Sequence, residues 1–403
     1  MKIGIYISGL GQSVENESVD KYATRLMNEM NFNTNGIKYV LKIEIINYTE
    51  DQQSNVVSIY GEKEPDKIVY KIYDFKYHNL LTDKFNSYSI ISKNFWLFLL
   101  VFRKFPVVFK RLFARESYSR PLQTFYIFLI FLIIALAVLF MIPAAITAIT
   151  GLSENLKVRD LLYDFKNFIG VGDIPFISKE GMENISKAVV SITAVLIVII
   201  PNANVLLSNL ATEFVCANDY IQQGSQKQLI LGNLELLVDY ISENEKDCKL
   251  HFHTYSFGSI LALDYIYPFG NKVSKNAEMF CEALVTIGTP FEFIKSYYPL
   301  FYKKRKLELG DKLHWLNVYS TIDALATNFR KDAKEGESEF GIEKMSNRPK
   351  NINYEVVSME RVGLIDFLLL YTIKVHGMYW DDKTEGQSCL GYIYQEMKIR
   401  NLI

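Results

Sequence analysis

The sequence predicts an α/β fold, a mostly parallel sheet flanked by helices and interrupted by a two-helix transmembrane insertion. Three observations predict it. Short runs rich in β-branched and aromatic residues alternate with helix-like segments in both the first and the last part of the chain. The run Lys249–Leu263 reads as a buried strand, an abrupt turn carrying Ser256, and an apolar helix. Between the two α/β portions lie two uncharged stretches, 121–153 and 188–212. At 403 residues the chain can bury a full α/β core, and its balance of 44 basic against 45 acidic residues argues against nucleic acid as a partner.

Residues 1–92 open on a short apolar strand, Lys2–Ser8, that ends in Gly9, Leu10 and Gly11, with a helix-like segment from Glu17 to Met27 behind it. A dinucleotide site would need a third glycine and an acidic strand end at the right spacing, and neither is present, so no cofactor is expected. The turn is read instead as an oxyanion loop in which the Leu10 backbone N–H faces a developing negative charge. Lys38–Asn47 and Asn55–Asp74 alternate as antiparallel or edge strands do.

Residues 93–120 carry Lys93, Arg103, Lys104, Lys110, Arg111, Arg115 and Arg120 against the single Glu116, among many aromatics. The pattern reads as a basic interfacial helix or as a basic linker beside a membrane. Residues 121–212 form the expected transmembrane hairpin: the uncharged run around Phe125–Phe140 exceeds the ~20 residues needed to span, and Val189–Ile200 supplies a second crossing that Pro201 and Asn202 end. Two crossings bring the α/β halves back to one side. The basic excess ahead of the first crossing puts both termini and the catalytic domain in the cytoplasm, with membrane lipids as partners and a homo-oligomer assembled through the hairpin as an option. Cys216, Cys248, Cys281 and Cys389 show neither metal-ligand nor disulfide spacing.

Residues 213–403 hold the chemistry. A helix over Asn218–Asn244 leads to the strand before Ser256. A serine hydroxyl attacks well only from the tip of a rigid turn, next to a base and to N–H groups aimed at the oxyanion, and Thr254-Tyr255-Ser256-Phe257-Gly258 has the form of such an elbow with threonine for the first glycine. The plainer alternative is that Ser256 caps the helix. Of five histidines, at 78, 251, 253, 314 and 376, only the last two lie downstream of Ser256, and His314 opens the strand Trp315–Tyr319 at its wrong end. His376, in a glycine- and aromatic-containing loop, is the candidate base. Asp323, at the carboxyl end of the strand after Trp315, either orients His376 or caps a helix at Ala324-Leu325-Ala326. Lys331–Lys350 reads as a solvated loop before a strand at 351–358, and His251 with His253 offers only a bare two-ligand metal pair, so no metal is expected.

The glycine turn after the first strand, the elbow at Ser256, the run Ala283-Leu284-Val285-Thr286-Ile287-Gly288-Thr289-Pro290 and the order Ser256, Asp323, His376 resemble a serine hydrolase of the α/β-hydrolase superfamily, in its lipase and esterase branch. The resemblance covers roughly 1–90 and 225–403. It implies that Ser256 attacks, His376 shuttles the proton, Asp323 orients it, and the N–H groups of Leu10 and Phe257 hold the oxyanion, with Gly9, Gly11 and Gly258 shaping the turns. The implied activity is cleavage of a lipid or acyl ester at the cytoplasmic membrane face. A tethered thioesterase or peptidase, and a non-catalytic signalling protein on the same scaffold, are the alternatives.

Overall fold

A computed structural model describes residues 1–10, 18–34, 36–88, 90–113, 125–129, 132, 212, 214–222, 224–270, 272–309, 312–332, 334–355, 371–381 and 383–403. In chain order the strands are β1 (Lys2–Ile7), β2 (Tyr39–Asn47), β3 (Gln53–Gly61), β4 (Glu64–Asp74), β5 (Lys249–Tyr255), β6 (Cys281–Ile287), β7 (His314–Tyr319), β8 (Gly336–Glu337) and β9 (Lys350–Asn353). The helices are α1 (Val19–Asn33), α2 (His78–Asn86), α3 (Ile90–Leu112), α4 (Ser225–Asn244), α5 (Phe257–Ile266), α6 (Lys275–Phe280), α7 (Phe291–Tyr297), α8 (Tyr371–Lys374) and α9 (Leu390–Ile399). The chain divides into two compact units, one of 1–84, 106–127 and 216–403, the other of 85–105 and 128–215. The sheet and the candidate site belong to the first.

The strands form one mixed sheet in the order β2-β3-β4-β1-β5-β6-β7-β9-β8. From β4 through β1, β5, β6 and β7 to β9 neighbours run parallel, whereas β2-β3-β4 is an antiparallel meander and β8 pairs antiparallel with β9. Parallel strands need both faces covered, and every residue of β5 after Lys249 is buried, with β1 buried from Ile3 onward. From β1 the chain turns toward β4, and from β5 toward β6. The carboxyl ends of β1 and β5 therefore flank a point where the connections diverge, which opens a crevice at that end of the sheet.

Polar residues inside β5 are accommodated by a relay of hydrogen bonds. Tyr22 of α1 reaches His253 Nδ1 at 2.7 Å, Tyr70 of β4 reaches His253 Nε2 at 2.7 Å and His251 Nδ1 at 2.8 Å, and His251 Nε2 lies 3.0 Å from Glu282 Oε2. The carboxylate at the end fixes every tautomer: His251 donates to Glu282, Tyr70 to His251, His253 to Tyr70, and Tyr22 to His253. Burial pushes the His253 pKa down to about 3 and lowers that of His251, while the hydrogen bond from His251 holds Glu282 down at about 2. All four ring nitrogens are engaged by protein groups, so the metal reading of this pair falls.

The structure corrects the expected membrane architecture. Among the described residues no helix is long and apolar enough to cross a membrane, and the two-span insertion, the multi-pass localisation with cytoplasmic termini, and an oligomer built through that hairpin lose their support with it. Most of 121–153 and 188–212 lies outside the described residues. Where the first stretch is described, Tyr126 and Ile127 are buried. Apolar sequence is satisfied by protein packing as well as by lipid, and hydropathy does not tell the two apart. Within the basic segment the chain forms α3, with Phe95, Trp96 and Phe102 exposed and Leu97 and Val101 buried; its Lys104 is 5% exposed, and burial lowers its pKa to about 8.

Candidate active site

The carboxyl end of β5 delivers Ser256 into a strained turn, with φ +50° and ψ −123°. A residue with a side chain adopts that conformation only when its surroundings hold it there. Here the Ser256 N–H donates to the Ile287 carbonyl of β6 at 2.9 Å, and the Ser256 carbonyl accepts from Ser259 N–H of α5 at 3.0 Å. Behind the turn, α5 comes so close to the end of β1 that a Cβ at Gly258 would stand 2.4 Å from the Ile7 carbonyl oxygen and 2.5 Å from that of Ser8. The second glycine of the elbow is thus required by contact. Thr254 is fully buried, and its hydroxyl donates to the Val285 carbonyl at 2.8 Å and lies 3.0 Å from Ser259 Oγ, so threonine ties the turn to β6 at the position where a G-x-S-x-G elbow has its first glycine.

His376 sits in a 3-10 turn, Val375–Gly377, directly after α8. Its Nε2 is 2.8 Å from Ser256 Oγ and its Nδ1 2.8 Å from Asp323 Oδ2. Serine, imidazole and carboxylate, with His376 120 residues from Ser256 and 53 from Asp323, therefore form one hydrogen-bonded line. Asp323 lies beyond β7 and is fully buried, with three donors: Leu325 N–H to Oδ1 at 2.8 Å, and Tyr379 Oη and His376 Nδ1 to Oδ2, each at 2.8 Å. Asp323 turns its own loop and meets the imidazole, and no helix forms at Ala324-Leu325-Ala326 for it to cap. A carboxylate so placed keeps the imidazole proton on Nδ1 and leaves Nε2 free to accept.

Three residues that motif reasoning passed over hold this line in place. Tyr379 Oη donates to Asp323 and accepts Ser320 N–H at 3.1 Å. Tyr255, the residue before Ser256, donates its hydroxyl to the His376 carbonyl and stacks on the imidazole at 5.4 Å between centroids and 22° between planes. Gly288, at φ +59°, clears the way for His376, because a Cβ there would lie 3.1 Å from Cε1 and 3.0 Å from the Tyr379 ring. The elbow fixes the serine and, through Tyr255, the loop that carries the histidine.

The remaining predicted positions are partly placed. Leu10 is buried shortly after β1, beside Gly9, while Gly11 lies outside the described residues. Phe257 is the first residue of α5, where a backbone N–H has no partner within its own helix. His314 begins β7, at the end of the strand away from Asp323. Against protein-family models, curated proteins and solved structures, the chain finds no match.

Proposed function

We propose that this chain is a serine hydrolase that cleaves acyl esters through an acyl-enzyme, on a scaffold of the α/β-hydrolase kind. The observation that carries the reading is the His376 imidazole, bonded at 2.8 Å on one side to Ser256 Oγ and on the other to buried Asp323. In the proposed reaction His376 Nε2 takes the Ser256 proton as Oγ attacks the acyl carbon, and returns it to the departing alcohol oxygen. Water then repeats the cycle: His376 accepts its proton, the hydroxide releases the acyl group as an acid, and Ser256 is regenerated. The Phe257 N–H, at the head of α5 beside the Gly9–Leu10 turn, supplies a donor to the tetrahedral oxyanion.

Support comes also from position. The line lies at the end of the sheet where connections diverge, the usual place for a ligand in an open α/β sheet. Strain at Ser256 points the same way, because a helix-capping serine has no need of a positive φ. The test is covalent labelling by a fluorophosphonate together with turnover of a short-chain p-nitrophenyl ester. Wild type is expected to label and to turn over, and Ser256→Ala to do neither while keeping its circular dichroism. A folded wild-type chain that neither labels nor turns over ester would sink the proposal.

A further inference from the structure

The two ends of the sheet are finished differently. At one end β8 is only Gly336–Glu337, a blunt edge of the sort that discourages further pairing. At the other, β2 runs for nine residues, pairs with β3 on one side, and has no strand on the other among the described residues. Its solvent-side character is apolar: Ile43 is 55% and Ile45 67% exposed.

The backbone shows which groups face outward. Asn31 of α1 grips Tyr39 like a neighbouring strand, its Oδ1 accepting Tyr39 N–H at 2.6 Å and its Nδ2 donating to the Tyr39 carbonyl at 3.1 Å. Tyr39 therefore directs its peptide groups away from β3. In an antiparallel ladder the direction alternates, so Leu41, Ile43 and Ile45 do the same.

We propose that β2 pairs antiparallel with β2 of a second copy of this chain, about a two-fold axis through Ile43. Ile43 is the midpoint of Tyr39–Asn47, so the pairing is centred on the strand. On one face Ile43 meets its own counterpart and Leu41, which already packs partly against the core, meets Ile45, so that the two exposed isoleucines are covered. On the other face Lys42 stands opposite Glu44, twice. Self-complementarity of shape and charge about one residue is what a two-fold interface requires, and an unrelated partner gives no reason for it. The Asn31 grip on Tyr39 limits the ladder to the Leu41–Ile45 segment. Because the axis reverses strand direction, the two candidate active sites open toward opposite strand ends of the joined sheet, and the proposal stands whether or not Ser256 is a nucleophile.

Sedimentation equilibrium of the full chain up to about 100 μM reads this directly. Wild type is expected to reach twice the monomer mass. Lys42→Glu and Glu44→Lys, each of which sets like charges opposite each other, are expected to stay monomeric, and the double exchange to restore the dimer. A monomeric wild type, a dimer indifferent to both single exchanges, or a double exchange that fails to restore it would each overturn the proposal. Ile43→Cys is an independent check: on the axis it is expected to form a disulfide-linked dimer under mild oxidation, the four native cysteines being buried. Absence of that link in a chain with wild-type circular dichroism counts equally against it.

Discussion

Within the site, Asp323 is the residue whose chemistry is most exposed to test. Asp323→Asn keeps an acceptor for Leu325 N–H but offers His376 an ambiguous partner, and the imidazole loses its fixed tautomer. Ester turnover is expected to fall on the order of 10³- to 10⁴-fold, with little change in KM; a drop under tenfold would remove Asp323 from the mechanism. Tyr379→Phe removes a donor from the same carboxylate oxygen and leaves Ser320 N–H without its acceptor. With one donor fewer on the carboxylate, its negative charge attracts the imidazolium more strongly, so the acid limb of the kcat/KM profile is expected to move to higher pH, with a loss of about tenfold or less. A purely structural role for Tyr379 would lower stability and leave that limb in place. Ser256, Asp323 and His376 were legible in the sequence because nucleophile chemistry narrows residue type and chain order, and five histidines leave few choices. Tyr255 and Tyr379 were not legible. The chain has 26 tyrosines, and no spacing rule separates one that supports an imidazole from one that fills a core.

At the level of elements, the elbow depends on α5 passing against the end of β1. A methyl group at 258 would meet two backbone carbonyl oxygens that cannot swing aside as a side chain can. Gly258→Ala is therefore expected to cost about 1–3 kcal/mol, seen as a lower urea midpoint with unchanged slope, and to depress labelling of Ser256 by moving it. An unchanged midpoint would mean that α5 and β1 are farther apart than described. On the other side of β5, Tyr70→Phe cuts the relay between His251 and His253 in two places. A cost of about 1–3 kcal/mol is expected, and fluorophosphonate labelling should survive, because the relay runs through Tyr22, His253, His251 and Glu282, all outside the candidate site. Strands were readable because alternation and β-branched runs set them locally: β2 falls within the alternating Lys38–Asn47, and β5 opens the run Lys249–Leu263 as the strand read there. The two-residue β8 has no such pattern, and its place in the sheet comes from pairing with β9 inside a segment that reads as solvated loop. The same local blindness affects the apolar run that holds Tyr126 and Ile127, since hydropathy reads alike whether lipid or protein buries such residues.

Across the whole molecule, two buried groups pull the pH dependence of stability in opposite directions. Asp74, at the carboxyl end of β4 beside β1, has its pKa pushed up to about 7 by burial. Its folded pKa lies above the unfolded value near 3.9, so the folded chain binds the extra proton between them; the contribution is present at low pH and is lost as pH rises through 7. His253 runs the other way. With a folded pKa of about 3 against about 6.5 unfolded, it favours the fold above pH 6.5, and that advantage is lost as pH falls toward 3. Each spans about three pH units, or about 4 kcal/mol, and their windows overlap between about pH 4 and 6.5, where the two slopes nearly cancel. Asp74→Asn removes one of them. Relative to wild type, its unfolding free energy is expected to climb by about 2–4 kcal/mol from about pH 4.5 to 7, both followed by urea titration. Parallel curves for the two proteins would show that Asp74 ionises normally and is not desolvated. The distinction bears on the active site, because a wild-type fold that holds steady through this range leaves His376 protonation, and not unfolding, as the cause of any loss of ester turnover on acidification.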